Sequence, residues 1–469
     1  CNPGIHYPEF STSGYMDYSD KENQVYDAVR SVLANLGFDS ENYGTDKWNP
    51  FKDFIKKGQK VLIKPNMVFH EHPYGEKEMY SMVTNAAVIR PIIDYILLAT
   101  DGDVEIIIGD CPVQTAIFSE VARISGIDGL LGYYKGKGID IGLIDMRMLM
   151  TEVTPEGIKG EKKPNPTRRE NDYICVDLKD KSELVPILNK ASRLEITDYK
   201  KGSVQKHHTQ NKNEYMIPRE VLEADVIINM PKLKTHRKAG MTCAMKNLVG
   251  VNGDKTCIAH HTRGDVKHGG DEFSRFALKE WFKVRLWTFL KSSKPGIKIA
   301  GKIKTIFQKY VWKGKSLKEH NMVSKPSTFS EGSWSGNDTI WRCVKDLNKI
   351  ILYADKHGNM QQTVQRKYLC VVDAVLAGEG EGPMEQTTKK FGVVFGGTNP
   401  VYVDYVATKL MKFDYKKIPT VFNGFDNKWW NIVNKQPDEI VYAGNVDMVE
   451  CAQYFTPTYG WQEHLKQKQ

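Results

Sequence analysis

Short apolar runs alternate with longer amphipathic stretches along most of this chain. Residues 61–63, 104–108, 226–230, 368–375 and 392–396 are apolar runs of strand length. Apolar positions recur at helical spacing over 25–36, 86–98, 118–127, 338–353 and 401–411. This rhythm predicts an α/β fold, a mostly parallel sheet with helices on both faces. Two stretches interrupt it. One is 130–215, with a further strand near 139–144 and a polar loop over 161–170; the other is 274–335. No linker divides the ends, so the pattern predicts a single discontinuous α/β domain over 1–469. Its two insertions would be mixed at 130–215 and basic, amphipathic and helical at 274–335.

The apolar runs deliver polar residues at their C-terminal ends. The first is followed by Lys64, Asn66, His70 and His72, the second by Asp110 and Cys111. The fourth ends near Asp373 and leads into Gly378-Glu379-Gly380-Glu381-Gly382-Pro383, read here as a glycine-rich loop. The densest stretch is 224–273, where a strand is expected to break at Pro231 into a polar run. Lys232, Lys234, His236, Lys246, Asn247, His260, His261, Arg263, His268, Asp271 and Glu272 all fall there. A solvated loop has no need of four histidines set among lysines and acids. In open parallel sheets, ligands bind outside the carboxyl ends of the strands. Lys64, Asp110, Lys232, Asp373 and Glu379 are therefore expected to converge on one crevice. The plainer alternatives are a solvated strand-end lysine for Lys64 and a turn cap for Asp373. His207, His208 and Glu214 read as parts of an exposed loop.

Lysines, arginine and amides in this pattern suit an anionic ligand. The expected binding set is Lys64, Asn66, Asp110, Lys232, Lys234, Lys246, Asn247, Arg263 and Glu379. His236, His260, His261 and Asp373 are the candidate acid–base groups, since histidine titrates near pH ~6.5. The ligand class expected is an acidic or phosphorylated sugar or a lipid-linked saccharide. A divalent cation such as magnesium on Asp373, Glu379 and Glu381 is the cofactor to look for. Two alternatives stand beside this reading. One is a metal-dependent hydrolase or isomerase using His260, His261, His268 and nearby acids; the other is a non-catalytic ligand-binding or scaffold protein. No nucleophile elbow, Walker loop or dinucleotide fingerprint selects a reaction.

Composition adds little until charge is located. Hydrophobic content of 41% and charged content of 26% are ordinary for a globular protein. The eight cysteines are scattered without a CxxC pair, which argues against a ferredoxin-type cluster or a zinc ribbon. The net charge of +9 is local: residues 279–319 hold eleven lysines and Arg285 against two glutamates. Trp281, Phe282, Trp287, Phe289, Ile306 and Trp312 are interleaved with those lysines. Basic residues with large aromatics on a helix predict contact of 281–315 with an anionic membrane surface. Nucleic acid is the disfavoured partner, as no recognised motif accompanies the charge. The expected location is cytoplasmic, peripheral at the inner membrane. Residue 1 is cysteine rather than methionine; a trimmed chain is preferred to a lipid-anchored Cys1.

The strings VLIKPNMV (61–68), IIIGDCP (106–112) and IINMPKLKTHRKAGMTCAMKNLVGVNGDK (227–255) together resemble the domain of unknown function 362 family. HHTRG (260–264), GGDEF (269–273), DAVLAGEGEGP (373–383) and GTNPVYVDYVATKLMKFD (397–414) extend the resemblance. The branch with HHTRG and GGDEF is similar to members found beside surface-polysaccharide genes. Many relatives carry an appended cysteine-rich domain; its lack here implies no iron–sulfur cluster. A thinner likeness to the nickel-pincer lactate racemase family touches only residues 234–255 and carries no cofactor across.

Overall fold

A computed structural model describes residues 1–466 apart from 12, 14, 15, 154–158, 198, 200, 276, 277, 291–293 and 307–328. The part of the expected membrane-facing segment from 307 to 315 lies outside the described residues.

The main sheet has eight strands. They are β1 (Lys60–Pro65), β2 (Glu105–Asp110), β3 (Gly142–Asp145), β4 (Val226–Met230), β5 (Lys232–His236), β6 (Gly240–Thr242), β7 (Lys367–Glu381) and β8 (Glu385–Gly397). The order is β6–β5–β7–β4–β1–β2–β3, with β8 on β7. β1, β2, β3, β4 and β7 run parallel. β6 and β8 are antiparallel additions at one side. The sheet is thus mixed but mostly parallel.

Strand alternation sends apolar side chains to both faces, as a buried parallel sheet requires. Val61, Ile63, Ile106, Ile108, Val226, Ile228, Leu369 and Val371 share one core with helices α1 (Gln24–Asn35) and α2 (Ala86–Thr100). Leu62, Ile227, Cys370 and Val372 share the other with helices at Ile340–Tyr353 and Pro400–Leu410. Helices cover both faces, as the pattern predicts.

Three local features differ from expectation. The chain does not leave the sheet at Pro231. It continues as β5, whose five residues are all buried. Proline contributes no N–H, and the Pro231 carbonyl instead accepts the Asp373 amide at 2.9 Å. Nor is 378–381 a loop: it is the far end of β7, paired Glu379 to Thr387 and Gly380 to Gln386 with β8, and the turn to β8 begins only at Gly382. Gly380 lies at φ +80°, a conformation open to glycine and strained for other residues. Finally, His208 is not in an exposed loop. It is buried, and its ring nitrogens meet Asn213 Oδ1 at 3.1 Å and the Cys257 carbonyl at 2.7 Å.

β3 lies within the span expected as the first insertion and closes one edge of the main sheet. After it come a hairpin (Leu149–Val153 with Lys159–Pro164) and a small antiparallel sheet built on Tyr173–Asp177 and Lys212–Pro218. The second insertion holds two described helices, Leu278–Leu290 and Lys294–Ile306.

Candidate functional site

The C-terminal ends of β1 and β2, the start of β5 and the middle of β7 bring an unusual number of charged groups out of water; Asp373, expected where its strand ends, lies inside β7, which runs on to Glu381. Lys64 at the end of β1 is 0% exposed and pairs with Asp110 at the end of β2, at 2.8 Å. Both Asp110 oxygens are further engaged, by the amides of Met67 (2.7 Å) and Cys111 (2.8 Å). Gly250 sits against this pair; a Cβ there would stand 2.0 Å from Asp110 Oδ1, so only glycine fits. Lys232 and Asp373 form a second buried pair at 2.6 Å, each 1% exposed. Asp373 also accepts the amide of Asn85 at 2.9 Å, the residue that caps α2. Burial pulls the ammonium pKa of Lys64 and of Lys232 down, against the opposing pull of Asp110 and Asp373.

Lys234 is different. It is fully buried and, among the described residues, has no carboxylate partner. Its ammonium is held by Asn66 Oδ1 at 2.7 Å and by the Met82 carbonyl. Burial, then the neighbouring Lys232, pushes its pKa far below the usual lysine range, with Asp110 opposing. Asn66 passes the network on to Asn247 Oδ1 at 2.6 Å, and Asn247 to Asn229 Oδ1 at 2.7 Å. Asn229 ends it on Tyr368 Oη at 2.8 Å. This chain of amides satisfies groups that would be costly to bury alone.

Beside the buried layer lies a second, more accessible set of cations. Lys246 is half-buried, and among the described residues it has no ion-pair partner. Burial first, then Lys255, Lys64 and Lys238, brings its pKa down to about 8. Lys255 donates to the Cys111 carbonyl at 2.9 Å. Lys238 reaches the Glu331 carbonyl. His236 Nδ1 accepts the amides of Lys238 (3.1 Å) and Ala239 (3.2 Å). The neutral ring therefore carries its proton on Nε2 and acts as a donor there. Burial, then Lys246 and Lys238, holds the His236 pKa well below 6.5. His260 is half-buried with Nδ1 3.5 Å from Thr197 Oγ1, and burial, then the same two lysines, lowers its pKa well below 6.5. Lys246, Lys255, Lys238, His236 and His260 thus share one positive field.

The expected site residues fall into separate groups. Lys246, His236 and His260 share this positive field, and Lys234, Asn66 and Asn247 belong to the buried amide network. Lys64–Asp110 and Lys232–Asp373 are closed ion pairs. Adjacent His260 and His261 point apart, because Glu195 and Leu194 pair as a strand with His261 and Thr262. His261 Nε2 lies 3.7 Å from Glu195, and Arg263 pairs with the same carboxylate at 3.1 Å. Burial opposes it, but the His261 hydrogen bond, Arg285, and then Arg263 bring the Glu195 pKa to about 2. Glu379 pairs with Lys389 at 3.2 Å and accepts the Thr456 amide at 2.9 Å. Asp271 is tied to Thr262, Asp338 and Thr339, at the start of the Ile340–Tyr353 helix. Lys238 and Lys255 were not in the expected set; their positions inside the 224–273 motif were the available signal.

A family model described as Domain of unknown function (DUF362) matches residues 61–149 and 179–409, more than half of the chain. The chain belongs to this family. The unmatched stretch between those segments includes the Lys159–Pro164 strand of the first insertion, whereas β1, β2, β4, β5 and the 244–260 loop all lie inside the match. The residues of the positive cluster therefore come from segments that the family model matches. No curated protein matches the chain.

Proposed function

We propose that this positive cluster lines a crevice that binds an anionic small molecule, with a phosphorylated or acidic sugar derivative as the ligand class. The observation that carries the reading is Lys246, partly exposed, unpaired among the described residues and destabilised as an ammonium by burial first and then by three other lysines. An anion with more than one negative charge relieves that repulsion and gains charge-assisted hydrogen bonds. Neutral His236 supplies a further donor through Nε2. His260, whose charged form is disfavoured, suits proton transfer on such a ligand, so catalysis is the extension of the binding reading. Calorimetric titration with phosphate, pyrophosphate, sugar phosphates and uronic acids tests the proposal. Saturable heat from at least one of them is expected, and no heat from any would overturn it.

A second reading concerns the ligand's setting. In the Leu278–Leu290 helix, Leu278, Phe282, Leu286 and Phe289 are exposed and follow one another at helical spacing. Lys298, Ile299 and Lys302 are exposed on the next helix. Arg285 anchors the first helix by pairing with Glu272 at 2.6 Å and Glu195 at 3.3 Å. An apolar stripe flanked by lysines suits an anionic membrane surface, and the ligand would then be lipid-linked. No described helix is long and apolar enough to cross a membrane. Co-sedimentation with phosphatidylserine vesicles is expected, and the Phe282→Ser, Phe289→Ser double variant should lose most of it. Equal sedimentation with neutral vesicles would remove the electrostatic part of this reading.

A further inference from the structure

Among the described residues, two clusters each bring three metal-ligating side chains together: Glu195, His261 and Glu272, and separately His207, Asp254 and Cys257. In the first, Arg285 and Arg263 already neutralise the carboxylates. The second differs in charge and in chemistry. Its candidate donor atoms all lie within 4.8 Å of one another. His207 Nε2 stands 3.8 Å from Asp254 Oδ2. Two ligands on a tetrahedral zinc ion, at about 2.0–2.1 Å each, stand only slightly closer than that. Asp254 Oδ1 is fixed by the Thr256 amide (2.9 Å) and hydroxyl (2.7 Å), which leaves Oδ2 to face His207. Among the described residues, Asp254 pairs with no lysine or arginine.

The surroundings are also those of a metal-bound histidine. Glu214 Oε2, which also pairs with Lys212 at 3.2 Å, lies 3.5 Å from His207 Nδ1, and among the described residues that Nδ1 makes no hydrogen bond; the candidate ligand atom Nε2 meets the Thr256 hydroxyl at 3.0 Å, a contact that the ion would displace. A carboxylate behind the second nitrogen is the arrangement that orients a metal-bound imidazole. The two segments are pinned together by the neighbouring His208, through the Cys257 carbonyl at 2.7 Å. Thiolate, imidazole and carboxylate together favour zinc or another late transition metal over magnesium or calcium.

We propose that His207, Asp254 and Cys257 form a transition-metal site, with Glu214 as the positioning residue for His207. Three protein ligands leave a fourth position for water. Binding forms the metal–sulfur bond as the Cys257 thiol releases its proton to solvent. Asp254 and Cys257 flank Lys255, so the ion would fasten the loop that carries this lysine to the crevice. The inference stands independently of anion binding.

Cobalt(II) is the probe, added to the full chain after metal removal. One equivalent should give a thiolate-to-cobalt charge-transfer band, release of a proton, and displacement by zinc. Cys257→Ser should abolish the band, and Glu214→Gln should weaken cobalt binding about 10- to 100-fold while keeping it. Cys257 lies in the core, so His207→Gln, at the rim, is the companion variant. Its affinity should fall at least as far as that of Glu214→Gln, with an unchanged circular dichroism spectrum. Absence of the band in the native chain, a band surviving in Cys257→Ser, or unaltered affinity in His207→Gln would each overturn the site.

Discussion

Replacing Lys246 by alanine is expected to weaken binding of a phosphate-bearing ligand about 10- to 100-fold. Charge-assisted hydrogen bonds contribute about 1.5–3 kcal/mol, and each ~1.4 kcal/mol is a factor of ten. The same change should not destabilise the fold. Lys246 in the free protein titrates near about 8, below the ~10.4 of an unfolded lysine. Between those values the unfolded chain binds more protons, so this group's contribution to stability rises with pH across that window. Below it, the full cost of keeping the ammonium enclosed is present, and Lys246→Ala removes that cost. Ligand affinity runs the other way. It should be flat between the second phosphate pKa, about 6, and the Lys246 pKa, and fall above the latter by up to about tenfold per pH unit as the free lysine loses its proton. Lys246→Arg keeps its charge and should flatten the profile. Calorimetry on either side of pH about 8 reads all three effects. A pH profile unaltered in Lys246→Ala would place the anion elsewhere.

The parallel sheet was legible because its strands are uninterrupted apolar runs, a pattern that a surface segment rarely shows. β4 was expected at 226–230 and is found there. What failed was inference from polarity. Lys232-Leu233-Lys234-Thr235-His236 looks like an exposed loop, since lysines are seldom fully buried. It is a strand because its charges meet partners from distant segments: Asp373 for Lys232, and Asn66 with Met82 for Lys234. Those partners lie more than a hundred residues away, so no local window reveals them. The glycines at 378, 380 and 382 misled for a related reason. Gly378 and Gly380 are strand residues and only Gly382 opens the turn to β8; Gly378 and Gly382 lack side chains because β5 passes too close. A Cβ on Gly382 would meet the Thr235 carbonyl at 2.0 Å, and one on Gly378 would meet Lys234 Cβ at 2.8 Å. The strands that carry these residues were therefore readable, while the division into sealed pairs and unpaired cations was not. Charge pairing decides that division, and pairing is a property of three dimensions.

The largest effect on the molecule is expected from Asp373→Ala, and it should be an effect on stability. The change leaves the Lys232 ammonium buried without a counter-charge, which costs about 3–5 kcal/mol. It also strips the Asn85 amide of its acceptor at the start of α2. The double variant Lys232→Met, Asp373→Leu removes both charges and should recover much of the loss, because buried pairs offset their own desolvation only narrowly. Denaturant midpoints of the two single variants and the double variant form the cycle that measures this coupling. Strong coupling in stability, with anion affinity of the folded double variant preserved, would make the pair a brace holding β5 against β7. That brace would hold the strand that carries Lys234 and His236. An unchanged midpoint in Asp373→Ala with affinity lost would instead return Asp373 to the ligand, as its expected position at a strand end first suggested. The two outcomes separate because a structural carboxylate acts through the partner it neutralises, whereas a ligand-binding one acts only when ligand is present.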